Sequence, residues 1–561
     1  MRTAHVLAIA ASVATCIAAC GSKSGNSFPS YDFGDSGSGA VGDGASMALP
    51  LGSGSGYTGP STCEQAVTTR SYIGCDYWPT VTTNPVWSIF DFTVVVANTQ
   101  ASAASVHVTG PGGTSQTVTV PAGSLSKIYL PWVPALKGPD CDSCGAVPAF
   151  TKSVTAPASA YHLVSSLPVT VYQFNALEYK GSGGAPGKDW SACPGSAELC
   201  TPTAAEGGGK PYYAGCYSYT NDASLLIPST AMTGNYRVTG EHATAMVQGG
   251  YFAITAVKDD THVVVTVAST ATVVAGGTVP ATPAGGTVNL TMSSGDVVEI
   301  MSDDLSDSTD LSGSLVQADQ PVQVIAGIQC ADQPIGYPAC DHLESSVLPA
   351  ETLGKDYVVT VPTSPGGVEV GHVVRFFGNV DGTTLTYSPT RPSGCPATLD
   401  AGQAVECSSI VKQTFEVTGT NAFAVSSFQL GGSIVDPSAV PGAQEGDPSM
   451  SPMVATEQYL SDYIFLAPTD YDESFVDIVA APGTSLKLDG TPISVAKAFP
   501  TPVNSSWSVT RIELNGGGSG AHILTGSSPF GVQVMGYGAY TSYQYPAGLD
   551  LAEIAPPPPN K

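Results

Sequence analysis

The feature that most constrains the fold is a succession of short, β-branched runs separated by turn residues, with almost no helical periodicity. Examples are FDFTVVVAN, THVVVTVAS and GTVNLTMSSGDVVEIM, and such runs are bounded by Gly, Pro, Asn or Asp. Runs of this length and composition are typical of strands joined by tight turns. The sequence therefore predicts an all-β protein.

The predicted strands recur in units of about a hundred residues, which is the sign of an internal repeat. Three segments share a pattern in which an Asp is followed, after an apolar stretch, by a Tyr that enters a strand. The Asp and Tyr pairs are Asp222 and Tyr236, Asp341 and Tyr357, and Asp447 and Tyr463. An earlier and poorer match has Glu64 and Tyr77 in the same places. The pattern predicts four related units.

Each predicted unit is the size of a β-sandwich that can close its own core. The units cover roughly residues 62–180, 220–330, 340–430 and 446–545 of a β domain that spans 62–551. We favour tandem sandwiches packed together. The alternative is a propeller-like ring of β-sheets, which would require two blades in each unit.

The N-terminus has the pattern of an export signal over residues 1–19. Its apolar run from Val6 to Ala19 is too short to cross a bilayer comfortably and is typical of a signal peptide. The segment that ends in Cys20-Gly21 is similar to a bacterial lipobox, which predicts a lipid on Cys20 and a location at the outer membrane or cell surface. The alternative is an ordinary secretory signal cut near Ala19.

Two segments have the composition of disordered chain. Residues 20–61 are rich in Gly, Ser and Asp, and residues 552–561 end in a Pro run. Because such segments bury little apolar surface, they are predicted to be a flexible tether and a disordered tail.

The charge of the chain excludes one class of partner. The 561 residues carry a formal net charge of −27. Nucleic acids and anionic membrane surfaces attract basic patches, so neither is expected as a partner, apart from the membrane contact through the lipid.

Eleven of the 13 cysteines remain when Cys16 of the signal and the lipid-bearing Cys20 are set aside. Close pairs in an exported chain predict short-range disulfides. The local groups are Cys63 with Cys75, Cys141 with Cys144, Cys193 with Cys200 and Cys216, Cys330 with Cys340, and Cys395 with Cys407. The odd total leaves one thiol over, which we expect within the group of three.

No motif for a nucleophile, a catalytic metal or a phosphate-binding loop is found, so we expect neither an enzyme nor a cofactor. The best candidate binding residues are Asp341, His342 and Glu344, directly after Cys340. Such donors could hold a cation or act as acid and base. Asp222 and Asp447 occupy the same repeat position without a neighbouring His. A structural role, in which the Asp accepts backbone N–H groups at a turn, is therefore favoured.

Three further groups of residues are interpreted as structural. The acidic run at 303–310 is expected to be a solvated loop rather than a calcium site, because it lacks the Gly and Glu of an EF-hand loop. Tyr77 and the tryptophans are expected mostly in cores. Histidines in strand patterns are expected on sheet surfaces; they are His107, His262 and His372.

The chain contains RSYIGCDYWPT at 70–80, SAYHLVSSLPVTVYQFN at 159–175, NDASLLIP and CDHLESSVLP, among other motifs. In their order and spacing these motifs resemble the IgGFc-binding protein N-terminal domain family. The resemblance covers roughly Ser61 to Leu551 and implies an extracellular binding or adhesion domain, without indicating its ligand.

These observations predict a lipid-anchored surface protein that binds an extracellular glycan or protein. The first alternative is a structural envelope or matrix protein that works by self-association. A secreted hydrolase with a site assembled from distant loops is the less favoured alternative.

Overall fold

The structure is a computed structural model that describes residues 47–48, 59–141, 151–194, 216–243, 249–303, 308–337, 340–439, 444–469, 471–494, 501–514 and 520–559. The predicted signal, Cys20, most of the predicted tether, Cys144 and Cys200 lie outside these ranges. Within them the chain is almost entirely β, and every strand pair is antiparallel, which confirms the predicted fold class. None of the helices in these ranges is long and apolar enough to span a membrane.

In two of the four β-units, the first and the fourth, one long strand joins the other strands into a single eight-stranded sheet. The first unit contains β1 (Met47–Ala48), β2 (Gly74–Tyr77), β3 (Phe92–Asn98), β4 (Ala104–Gly110), β5 (Thr114–Val120), β6 (Ser124–Leu130), β8 (His162–Asn175) and β9 (Ala223–Leu225). The order is β1-β6-β3-β8-β4-β5, with β2 and β9 also paired to β8. The strand β1 falls inside the predicted tether.

The second and third units are two-sheet sandwiches. The second contains β7 (Val154–Ala156), β10 (Asn235–Arg237), β11 (Tyr251–Ala256), β12 (Thr261–Thr266), β13 (Thr287–Met292), β14 (Val297–Met301), β15 (Leu315–Ala318), β16 (Val322–Ala331) and β17 (Asp341–Ser346). The third contains β18 (Asp356–Val359), β19 (Val373–Gly378), β20 (Thr383–Ser388), β21 (Thr398–Leu399), β22 (Ala404–Glu406), β23 (Phe415–Gly419), β24 (Phe423–Phe428) and β25 (Met450–Pro452). Their sheets are β10-β15-β12-β13 with β17-β16-β11-β14-β7, and β18-β23-β20-β21 with β22-β19-β24-β25.

The fourth unit repeats the long-strand arrangement of the first. It contains β26 (Leu460–Leu466), β27 (Glu473–Ala480), β28 (Leu486–Leu488), β29 (Thr491–Pro492), β30 (Thr501–Pro502), β31 (Ser508–Glu513), β32 (Ala521–Gly538) and β33 (Thr541–Pro546). Its order is β29-β28-β32-β27-β31-β30, and β26 and β33 also pair with β32. The described residues also form three short α-helices, α1 (Cys63–Thr69), α2 (Pro134–Lys137) and α3 (Gly432–Val435), and several single-turn 3-10 helices.

Burial along the strands follows from which face meets a core. β4 and β12 alternate buried and exposed residues, as expected of a strand with one solvated face. β3, β11 and β16 are buried along their whole length. Both faces of these strands are therefore covered, one by the core of their own unit and the other by neighbouring parts of the molecule.

Each β-unit has one tyrosine near its start whose hydroxyl is hydrogen-bonded to a later strand of the same unit. Each hydroxyl donates a hydrogen bond to a backbone carbonyl of β8, β16, β24 or β32. The donors are Tyr77, Tyr236, Tyr357 and Tyr463, and the acceptors are Val169, Val322, Phe423 and Phe530. Each hydroxyl also accepts the backbone N–H of the residue three positions earlier. The arrangement is similar to the tyrosine corner of β-sandwiches and explains the recurrent Tyr of the sequence.

The four units are arranged in a ring. The strand β9 lies against β17 and β33, and β25 lies against the same two strands. Each of these four strands also pairs with the last long strand before it in the chain, namely β8, β16, β24 or β32. The favoured tandem sandwiches are therefore present, and the sandwiches themselves, rather than propeller blades, form the ring.

The ring closes where the fourth unit meets the first. The hydroxyl oxygen of Tyr172 lies 2.6 Å from the carbonyl oxygen of Ile464 and 2.9 Å from that of Ala547, so its one hydrogen is shared by two acceptors of the fourth unit. One hydrophobic core runs through both units, whereas the second and third units have cores of their own. The chain ends of the β domain are thus held together by apolar packing as well as by hydrogen bonds.

Candidate functional site

The predicted binding residues meet at the centre of the ring. Asp222 precedes β9, Asp341 begins β17, and Asp447 lies three residues before β25. These three carboxyls, His342 and Glu344 are at most 2% exposed. Direct contact with a large ligand would therefore require the ring to open, which favours the structural interpretation.

Glu344 connects the second unit to the first. Its Oε1 accepts hydrogen bonds from Gln173 Nε2 at 2.7 Å and Ser224 Oγ at 2.8 Å. Its Oε2 accepts hydrogen bonds from Thr82 and Asn175. Burial raises the pKa of Glu344, and the four hydrogen bonds oppose that rise. All four acceptor positions of the carboxylate are used, so Glu344 joins three segments of the first unit.

Asp222 caps the start of β9. Its Oδ1 accepts the backbone N–H of Ala223 at 2.7 Å, and its Oδ2 accepts the backbone N–H of Glu344. Burial and the nearby Glu344 carboxylate raise the pKa of Asp222 well above its usual value. Asp222 therefore binds the backbone of β9 and that of β17 in the second unit.

Asp341 and Asp447 are less completely bonded. Asp341 Oδ1 accepts the backbone N–H of His342 at 2.7 Å. Among the described residues, Asp341 Oδ2 and Asp447 Oδ1 are buried without a hydrogen-bond partner. Burial raises the pKa of both carboxyls, and the Asp447 charge raises that of Asp341 further. The environment thus favours the protonated, uncharged acids.

His342 is buried as a neutral ring. Its Nε2 lies 3.0 Å from the hydroxyl of Tyr251, and burial lowers the pKa of His342 to about 3. A neutral imidazole in this environment is poorly placed for acid–base chemistry on a molecule from solvent.

The four local disulfides expected between described cysteines are present. They are Cys63–Cys75, Cys193–Cys216, Cys330–Cys340 and Cys395–Cys407. Within the group of three, Cys193 bonds to Cys216, while Cys200 lies outside the described residues. The partner predicted for Cys141, which is Cys144, also lies outside them. The disulfides indicate an oxidising compartment.

The Cys330–Cys340 disulfide closes a loop whose apolar side chains face solvent. Ile335 is 42% exposed and Tyr337 is 46% exposed. The base of the loop is fixed, because Gln333 Nε2 donates to Glu241 Oε2 at 2.8 Å and Gln333 O accepts from Gly431 N at 2.8 Å. An exposed apolar tip on a fixed base is an arrangement suited to protein contact.

A second polar cluster joins the second and third units and was not found from the sequence. Glu241 and His242 follow β10, whereas Glu406 ends β22 in the next unit. Their potential ligand atoms lie within 4.8 Å of one another. The cluster is hard to predict from the sequence, because Glu241 and His242 are consecutive residues whereas Glu406 is distant in the chain.

Two of the structural interpretations made from sequence are wrong. His372 is fully buried, with Nδ1 at 2.7 Å from Ser427 Oγ, and is not on a sheet surface. Asp310 is buried and forms an ion pair with Arg375, so this part of the acidic run is not solvated. Asp304 and Asp307 lie outside the described residues. His107 and His262 are exposed, and Tyr77, Trp78 and Trp87 are buried, as predicted.

Comparison with known proteins identifies the family. The family model described as IgGFc binding protein matches residues 222–536, which is more than half of the chain. The IgGFc-binding protein of Homo sapiens is 35% identical over 102 residues, which are 18% of this chain and 2% of that protein. This chain therefore spans only a small part of the length of that relative.

Similarity to solved structures is slight. An anti-sigma factor domain-containing protein from Clostridium clariflavum is 12% identical, with a TM-score of 0.10, over 58% of this chain and 83% of the other. A tetra-tandem repeat in the extending region of a large adhesion protein is 12% identical, with a TM-score of 0.09, over 84% of this chain and 98% of the other. TM-scores this low carry no argument about fold or function. On the family match, the chain belongs to the IgGFc-binding protein family.

Proposed function

We propose that this chain is a surface-displayed, non-catalytic module that binds an extracellular protein through the loop closed by Cys330–Cys340. The observation that carries the proposal is the exposed pair Ile335 and Tyr337, presented on a disulfide-closed loop in a member of a family named for binding a protein. Tyr is among the side chains that contribute most to protein recognition, and Ile335 adds apolar area beside it.

The loop is already ordered at its base. The disulfide and the contacts of Gln333 to Glu241 and Gly431 restrain the base of the loop before a ligand arrives. A pre-organised loop loses less conformational entropy on binding, which favours affinity. Ile335 and Tyr337 can therefore contact a ligand while the ring stays closed.

The proposal includes how the module is displayed. A lipid on Cys20 would anchor the chain at the outer membrane or cell surface, and residues 20–61 would serve as the spacer. The four disulfides support an extracytoplasmic location. The human relative is named for binding the Fc part of IgG, so Fc is one protein to test among others.

A non-catalytic role is supported by the state of the central residues. Asp341, His342 and Glu344 are buried, and the pKa of His342 is held near 3. They connect units of the ring instead of lining an open cleft.

The test uses an array of extracellular proteins and glycans that includes IgG Fc, probed with the chain from Ser61 onward. We expect binding to at least one protein, weakened at least tenfold by Ile335→Ser combined with Tyr337→Ser. The matched control is Val264→Ser combined with Val368→Ser, which removes exposed apolar side chains elsewhere and should leave binding unchanged. Binding to glycans alone, or binding that the loop variant retains in full, would overturn the proposal.

A further inference from the structure

We propose that Glu241, His242 and Glu406 form a binding site for one divalent transition-metal ion of the Zn²⁺ type, at the junction of the second and third β-units. The three residues supply one imidazole nitrogen and two carboxylate oxygens, which are ligands that Zn²⁺ accepts in proteins. The site is separate from the central carboxyls and from the exposed side chains of the Cys330–Cys340 loop.

The distances between the ligand atoms suit a single metal ion. His242 Nε2 lies 3.0 Å from Glu241 Oε1 and 3.5 Å from Glu406 Oε2. Zn²⁺ binds such atoms at about 2.1 Å, and two ligands of a tetrahedral ion at that distance are about 3.4 Å apart. The two distances from His242 Nε2 are thus close to this value, and the two carboxylate oxygens lie within 4.8 Å of each other, so one ion can contact all three atoms once the carboxylates adjust.

The imidazole is oriented for metal binding. His242 Nδ1 lies 3.0 Å from the carbonyl oxygen of Ala243 and donates its hydrogen there. This contact fixes the tautomer and leaves Nε2 directed at the two carboxylates, as the outer contacts of metal-binding histidines generally do. Glu241 is held in the same way, because its Oε2 accepts a hydrogen bond from Gln333.

The charges around the cluster favour a divalent cation. Arg375 lies 3.6 Å from Glu241 Oε1 and 3.9 Å from Glu406 Oε2, and it is also paired with Asp310. With a neutral His242, the three carboxylates and the one guanidinium leave two negative charges in excess. A divalent ion neutralises this excess, and Arg375 remains a partner of the carboxylates outside the metal shell.

The rim of the site is open to solvent. The side chain of Glu406 is 35% exposed and that of His242 is 14% exposed, whereas Glu406 Oε2 itself is buried, so an ion enters as the Glu406 side chain rotates. A water molecule can then complete a four-coordinate shell, as at zinc sites with three protein ligands. Glu406 Oε2 accepts no hydrogen bond from the described residues and is available as a ligand.

Binding would connect the junction to the Cys330–Cys340 loop. Glu241 contacts the loop base through Gln333, and Glu406 belongs to the sheet of the third unit. An ion that holds the two glutamates together therefore also stiffens the base of the loop.

The competing explanation is that His242 is an imidazolium ion that bridges the two carboxylates without a metal. The test uses the full chain without a histidine tag, stripped of metal with EDTA and treated with iodoacetamide to block thiols. Co²⁺ is titrated and followed by the visible absorption of tetrahedral cobalt, and Zn²⁺ is titrated by calorimetry. We expect one equivalent of either ion to bind.

Glu406→Gln should weaken binding of both ions at least tenfold and His242→Gln should abolish the tetrahedral cobalt spectrum. His262→Gln is the matched control, because His262 is exposed and paired only with Asp319 in the described structure, so binding should be unchanged. Circular dichroism of each metal-free variant checks that the fold is kept. Absence of one-equivalent binding in the wild type, or equal binding by a folded Glu406→Gln variant, would overturn the proposal in favour of the imidazolium bridge.

Discussion

The carboxylate of Glu344 in β17 accepts a hydrogen bond from Gln173 Nε2 in β8 at 2.7 Å, although 171 positions separate the two residues in the chain. Three more donors complete the shell of this carboxylate, and all come from the first unit, including Ser224 of β9. Glu344 is therefore one of several buried side chains that join the first two units, with Thr255, Glu299 and Gln323.

Replacing Glu344 with Gln should destabilise the ring. The amide would turn an NH₂ group toward side chains that donate hydrogen bonds to Glu344, so buried donors would lose their acceptor. We expect a loss of about 2–3 kcal/mol in the free energy of unfolding, measured by urea denaturation. Asp319→Asn, which changes an exposed carboxylate, is the control and should shift stability by less than about 0.5 kcal/mol. An unchanged urea midpoint in Glu344→Gln would show that the four hydrogen bonds do not support the fold.

The corner tyrosines predict a repeated energetic effect. Tyr236→Phe removes the hydroxyl that donates to Val322 O and accepts from Thr233 N, and leaves both backbone groups unpaired in the core. We expect each of Tyr236→Phe and Tyr357→Phe to lower the free energy of unfolding by about 1–3 kcal/mol. Tyr337→Phe, on the exposed loop, should have no effect. Losses confined to one corner would contradict equivalent roles in the repeat.

The same tyrosines show what the sequence could predict. A β-unit needs the Tyr hydroxyl at a fixed place relative to the following strand, so Tyr236, Tyr357 and Tyr463 recur at similar distances after an Asp. Local constraints of this kind leave a visible pattern. The strand runs and the short disulfides are local for the same reason, and they too could be read from the sequence.

Contacts between units leave no such pattern. Whether β9 pairs with β8 before it or with a strand after it depends on which edge is free in the folded ring, and the sequence of Ala223–Leu225 does not specify this. The shell of Glu344 and the approach of Glu406 to His242 depend in the same way on how the units pack. The candidate residues at the centre were found because they recur in the repeat, while the metal-type cluster, which does not recur, was missed.

Glu299 should make stability depend on pH. Burial and the nearby Glu344 raise the pKa of Glu299 to about 8, while one oxygen accepts the backbone N–H of Thr83. Because the folded-state pKa lies above the usual value of 4.5, the folded protein binds the proton more tightly than the unfolded chain does. This contribution to stability is complete below pH 4.5 and is lost as the pH rises toward 8.

The measurement for Glu299 is the thermal midpoint between pH 4.5 and 8 for the wild type and Glu299→Gln. The amide resembles the protonated acid and does not titrate, so the wild type should lose stability relative to the variant as the pH rises. Asp319→Asn is the control, and the wild type should lose no stability relative to this variant as the pH rises. Asp319 is exposed and its pKa is lowered, not raised. Parallel curves for the wild type and Glu299→Gln would contradict a protonated Glu299 in the fold.

Removing Cys330–Cys340 should separate the stability of the fold from the order of the exposed loop. The sequence separation of this disulfide is 10, and that of Cys395–Cys407 is 12. Loop-closure entropy for lengths this similar gives about 3 kcal/mol for each bond, so replacing either pair with serines should lower stability by similar amounts. The Cys395–Cys407 variant is thus a matched control for the loss of a disulfide.

The two variants should differ in hydrogen–deuterium exchange. Without Cys330–Cys340, the segment that contains Ile335 and Tyr337 loses its covalent closure and keeps hydrogen bonds such as those of Gln333, so its amides should exchange faster than in the wild type. Without Cys395–Cys407 the exchange of that segment should be unchanged, because the bond lies in the core of the third unit. If both variants exchanged alike in this segment, the disulfide would not be what orders the loop. The pre-organisation on which the proposed protein contact depends would then come from non-covalent contacts such as those of Gln333.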